Sequence, residues 1–167
     1  DIYTKFLIPA LCEPGDDSNY GSTATRDIEC LQALSRRIHY GKFVAESKFQ
    51  DQKYNSKYIE LIKAGDRNGI LETLTNKQVE QKLLDRLRLK VTVYGQDLSK
   101  KDVDLHGGVC SNDSATKPKA VPDNLRVDTS LVVDLYEKYI IPLTKEVEVE
   151  YLLCRLDGPD TPKFVHQ

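Results

Sequence analysis

Apolar residues recur at three- and four-residue intervals along most of this chain, the spacing that lines one face of an α-helix. Ile2 to Leu11 reads as a short apolar helix stopped by Pro14-Gly15. Gly21-Ser22-Thr23 then offers capping residues for one helix running to about Gln50, with an apolar stripe through Leu31, Leu34, Ile38 and Ala45. Such a helix spans roughly 42 Å, a length that belongs in a bundle. Gly41 in its interior costs helix propensity, and the expected compensation is close approach of a neighbouring backbone or a ligand.

Tyr58 to Ala64 and Arg67 to Leu74 predict two short helices broken at Gly65-Asp66. Thr75 or Asn76 opens another, with Val79, Leu83, Leu84 and Leu87 on its buried side and an end near Gly95. Residues 96–126 carry Ser, Lys, Asp, Gly-Gly and two prolines without period, which reads as a loop insertion. Asp128 starts the last helix, expected to bend at Pro142 because proline removes a backbone donor and crowds the preceding turn. Residues 158–167 form a tail. The pattern predicts an all-α fold, a helical bundle with long helices, in a single domain spanning 1–167.

Composition narrows the class. With 167 residues, 30% of them charged, and a net charge of −2, nothing points to a nucleic-acid or membrane surface. No apolar run has the length of a membrane span, and DIYTKFLIPALC lacks the basic start and cleavage site of a signal peptide. A cytoplasmic protein is expected, with a plastid or secreted location left open because methionine is absent and a preceding segment is expected outside the chain. Cys12, Cys30, Cys110 and Cys154 are scattered without metal-ligand spacing, and are expected to be reduced structural thiols, a disulfide pair being the alternative. Cys110 is the one expected to be exposed. His39 falls on a helix flank, and His106 and His166 fall in loop-like sequence. No metal and no cofactor are expected.

Three pairs of residues carry the candidate chemistry. Arg37 and Lys48 lie close to a whole number of turns apart on the predicted helix, so both project in nearly the same direction, with Cα atoms roughly 16 Å apart. Long side chains leaning towards each other hold a small dianion between them. Asn76 and Glu80, and Thr144 and Glu148, each share a helix face at i, i+4. A bend at Pro142 aims the latter pair into such a site. Each residue alone reads as a solvated helix position. Nucleotide-binding and serine-nucleophile motifs are missing.

The segments NYGSTATRDIECLQALSRRIHYGKFVAESKFQ, TNKQVEQKLLDRL and IIPLTKEVEVEYLLCRL resemble the all-helical chorismate mutases of fungi and plants, the allosteric eukaryotic branch. The likeness covers nearly the whole chain apart from residues 96–126 and the tail after Asp157. That family converts chorismate to prephenate by a Claisen rearrangement, on the route to phenylalanine and tyrosine, with no cofactor and no covalent intermediate. The resemblance implies that Arg37 clamps a substrate carboxylate and that Lys48 and protonated Glu148 donate to the breaking ether oxygen. It further implies that Glu80 binds the ring hydroxyl while Asn76 and Thr144 fix the carboxylate end. Asn19, Gly21, Ser22 and Thr25 match positions near the effector site, where tyrosine inhibits and tryptophan activates at the interface of a homodimer; from sequence alone NYGST is a turn and a helix cap. Asp128 stands where fungal members carry threonine, so weak tryptophan activation is expected. Nothing in the chain matches the family's amino-terminal helical segment with its second substrate-binding arginine. The alternative expectation is therefore a non-catalytic, chorismate-mutase-like interaction or regulatory protein.

Overall fold

The computed structural model describes residues 1–16, 18–96 and 125–156. Among these described residues eight α-helices follow in chain order: α1 (Ile8–Leu11), α2 (Tyr20–His39), α3 (Gly41–Gln50), α4 (Asn55–Ala64), α5 (Arg67–Leu74), α6 (Lys77–Tyr94), α7 (Thr129–Leu135) and α8 (Ile141–Leu153). The fold is all-α with long helices, as the periodicity predicts. Two π-helical turns, Tyr3–Leu7 and Tyr136–Ile140, run directly into α1 and α8. Each helix they enter carries a proline in its first two positions, Pro9 and Pro142. Proline brings no N–H and its ring crowds the carbonyl four residues back, and a widened turn relieves both. The last helix is thus α7, a π-turn and α8, where the sequence predicts one helix bent at Pro142.

The chain divides into two compact units, one of Asp1–Gly15 with Lys77–Tyr139, the other of Asp16–Asn76 with Ile140–Gln167. In the first, α6 packs on α7, and Leu7, Leu84, Val133 and Leu135 are buried. Phe6 and Tyr139 stack in a tilted pair with centroids 5.1 Å apart. The buried side of α6 is narrower than its pattern suggests. Leu84 is buried, Leu83 and Leu87 are half-buried, and Val79 is exposed. The Asp128 side chain caps α7, accepting from the Ser130 backbone N–H at 2.8 Å.

The second unit is built on the packing of α3 against α8, with α4 and α5 closing over them. Its core is Ala45, Phe49, Tyr58, Ile62, Ile70, Leu74, Val149 and Leu152. The single helix expected from 21 to about 50 is instead two, because Tyr40, with φ −62° and ψ −15°, leaves the α-helical ψ just before Gly41. The predicted stripe is buried only at its α3 end: Ala45 is fully buried, Leu34 and Ile38 are half-buried, and Leu31 is 45% exposed. Gly41 meets its expected close neighbour. A Cβ there would lie 2.8 Å from the Thr144 carbonyl oxygen.

The break at Gly65-Asp66 follows from two local devices. Gly65 takes the left-handed conformation, φ 65°, and its N–H and that of Asp66 close onto the Ile62 and Leu61 carbonyls, a Schellman end to α4. The Asp66 carboxylate then accepts from the Gly69 N–H at 3.0 Å and caps α5. The expectations for residues 97–124 of the loop, including Cys110 and His106, and for the 158–167 tail with His166, lie outside the described residues. The three described cysteines are free thiols, but Cys12 and Cys154 are exposed rather than structural core.

Candidate active site

Lys48 sits in the last turn of α3 and reaches across to the end of α5, where its Nζ donates to the Leu74 carbonyl at 2.8 Å. The final carbonyls of a helix lack intrahelical partners and carry the negative end of its dipole, so they hold an ammonium well. The same Nζ lies 3.5 Å from Glu148 Oε2. Glu148 is the only buried charged residue among the described residues, 7% exposed, on the face of α8 turned to α3. A carboxylate taken this far from water is costly unless a cation or donor meets it, and Lys48 does so with its side chain still 36% exposed. The site therefore has one dry wall and one side open to solvent. Tyr58, fully buried on α4, has its hydroxyl pKa pushed up to about 12, first by burial and next by the charge of Glu148.

Thr144 stands one turn before Glu148, and its hydroxyl donates to the Ile140 carbonyl at 2.6 Å. Its proton is thus engaged by the backbone, leaving its oxygen lone pairs to face a ligand. Arg37 lies half-buried in the last turn of α2, beyond the Tyr40 break. The two cations therefore sit on two helices rather than on one regular face. Asn76 is exposed immediately before α6, and Glu80 is half-buried in its first turn, in the first unit. The second unit by itself brings together Lys48, Thr144 and Glu148.

The expected effector residues lie at the start of α2. Ser22 donates to the Asn19 carbonyl at 3.0 Å and Thr25 to the Gly21 carbonyl at 2.9 Å, so both hydroxyls serve the first turns of the helix. All four residues are exposed. An open groove of about 670 Å³ lies elsewhere, between His39, Lys42, Glu146, Glu150 and Arg155, and contains none of the expected site residues. Its carboxylates already bind Arg67, at 3.1 Å from Glu146 and 2.5 Å from Glu150. Among the described residues no group of three His, Cys, Asp or Glu side chains could hold a metal ion, and no helix is long and apolar enough to cross a membrane.

Residues 19–149 match the family model for chorismate mutase type II. The chain belongs to the type II chorismate mutase family. Among relatives, it is 47% identical over 164 residues to a chorismate mutase of Emericella nidulans, covering 93% of this chain and 54% of the relative. It is 46% identical over 158 residues to that of Saccharomyces cerevisiae, covering 93% and 53%. Among solved structures, the Candida albicans chorismate mutase Aro7p in complex with L-Trp superposes with a TM-score of 0.74 at 41% identity, over 95% of this chain and 53% of that one. AtCM1 with tyrosine bound in its allosteric site gives 0.70 at 42% identity, over 93% and 53%. The chain thus spans about half the length of the chorismate mutases it matches.

Three features of this chain escape the sequence reading. The Leu74 carbonyl that anchors Lys48 is main chain, which no residue type signals. Tyr58 reads only as the start of a short helix. The cluster in which Glu46 binds Arg155, Tyr151 and Gln50 has partners more than a hundred residues apart for the first two, with only Gln50 at helical spacing.

Proposed function

We propose that the protein rearranges chorismate to prephenate, supplying aromatic amino acid synthesis. The observation that carries this reading is the Lys48 ammonium, tied to the Leu74 carbonyl at 2.8 Å and set 3.5 Å from buried Glu148. The rearrangement breaks the ether C–O bond as a C–C bond forms, and negative charge grows on the ether oxygen in the transition state. An ammonium has three N–H donors. Two of Lys48's point to Leu74 and Glu148, and the third is left for that oxygen. Fixed donors of this kind act without reorganising as charge develops, which is the main way a protein accelerates such a step. Glu148, in its protonated form, gives the same oxygen a second hydrogen bond.

Arg37 binds a substrate carboxylate through paired N–H donors. Asn76 and Thr144 hold the carboxylate end, Thr144 by accepting or by exchanging its bond to Ile140, and Glu80 takes the ring hydroxyl. No cofactor enters. Chorismate consumption and prephenate appearance, followed by proton NMR, test the reading. Turnover by wild type that Lys48→Ala lowers by about 10²-fold or more is expected. A wild-type protein that leaves chorismate unchanged would sink it.

The relatives that carry L-Trp or tyrosine in their structures support a regulatory role for the same chain. Asn19, Gly21, Ser22 and Thr25 then bind the backbone groups of an aromatic amino acid, tyrosine slowing the reaction and tryptophan speeding it, in a cytoplasmic homodimer. The alternative reading is a chorismate-mutase-like regulatory or interaction unit. That reading expects aromatic amino acids to bind without any turnover of chorismate.

A further inference from the structure

We infer that Gly41 is a positioning residue for the reaction: its missing side chain lets α3 lie directly on α8 at Thr144 and Glu148, and that closeness sets the Lys48–Glu148 separation. The inference rests on the chorismate mutase reading above. Gly41 is buried at the start of α3 and Ala45, one turn on, is fully buried. Lys48 follows at the next turn of the same face, since residues at i, i+4 and i+7 align along a helix. Two minimal residues thus precede the lysine along the line of contact with α8.

A Cβ added at Gly41 would lie 2.8 Å from the Thr144 carbonyl oxygen, 3.0 Å from Thr144 Cγ2 and 3.1 Å from Glu148 Cγ. The first contact is with main chain, which no rotamer change relieves. The helices must therefore separate or slide. Lys48 cannot simply follow α8, because its ammonium is also held to Leu74 at the end of α5. Any shift consequently lands on the 3.5 Å gap between Lys48 Nζ and Glu148 Oε2. The gap is long already, so a small displacement removes the contact.

The test compares wild type, Gly41→Ala and Ala45→Gly. The glycine variant at 45 loosens the same interface without pushing α8 away, and controls for stability. Gly41→Ala is expected to lower kcat for chorismate about 10²-fold, the scale on which ångström misplacements act, with KM changed by less than about threefold. Ala45→Gly is expected to lower the unfolding midpoint while keeping kcat within about twofold. A kcat retained in Gly41→Ala, or lost equally in Ala45→Gly, overturns the inference.

A second readout does not need turnover. The titration of the Glu148 side-chain carboxyl, followed by carbon-13 NMR, reports on the charges near it, among them Lys48 on α3, with Tyr58 on α4 also coupled to it. In Gly41→Ala the midpoint should shift in the same direction as in Lys48→Met. An unshifted midpoint overturns the positioning role whatever the activity. A wild type inactive on chorismate overturns the functional reading instead, and the titration then decides this inference alone.

Discussion

Arg37 and Glu46 differ in what a single substitution reveals about them. A guanidinium clamping a carboxylate works through paired, planar donors, so Arg37→Ala should cut kcat/KM by about 10²-fold or more and Arg37→Lys should restore little of it. Near-wild-type rates in the alanine variant would remove Arg37 from the site. Glu46 answers to pH instead. Arg155, then Tyr151 and Gln50, hydrogen-bond its carboxylate and hold its pKa down at about 2, against an ordinary value near 4.5. A folded-state pKa lowered in this way adds stability that is complete above the ordinary value and lost as pH falls towards 2. The difference in thermal midpoint between wild type and Glu46→Gln should therefore be positive at pH 6 and shrink as pH drops from about 4.5 to 2. A difference that stays constant over that range would show that the cluster acts through packing, including Arg155 over the Phe49 ring at 5.1 Å.

The α4–α5 corner shows how one element's start affects another's end. Gly65 holds a left-handed conformation that a Cβ disfavours, and Asp66 caps α5. Gly65→Ala and Asp66→Ala should each cost about 1 kcal/mol in urea unfolding, and a loss under a few tenths would show that the corner rests on the core alone. This corner was legible in the sequence, because its devices are glycine and aspartate at fixed offsets. The Tyr40 break was not, since tyrosine is an ordinary helix residue and its dihedral angles there leave no mark in the sequence. Leu31 belongs to the predicted apolar stripe and is still exposed, because periodicity gives a face, not what covers it. The π-turn before Pro142 was legible only as a bend, because i→i+5 bonding has no residue signature of its own. For the candidate site, Lys48, Thr144 and Glu148 could be named from sequence, while the backbone carbonyl that seats the lysine could not.

At the scale of the whole molecule, regulation can be tested without a label. The chain contains no tryptophan, so indole emission in a titration comes from the added amino acid alone. Emission should change on binding and the change should weaken in Thr25→Val, with tyrosine competing; flat emission together with a rate indifferent to tyrosine would refute effector binding at this end of α2. Mutational tolerance across the chain should carry one further mark of its architecture. The acceptor that seats Lys48 is a peptide carbonyl, a group that every amino acid supplies. In a saturation scan, Lys48 should tolerate almost nothing while position 74 accepts any side chain that fills its apolar pocket. The contact would leave no covarying pair in a collection of natural variants, so its evolutionary trace is a constrained lysine with no visible partner.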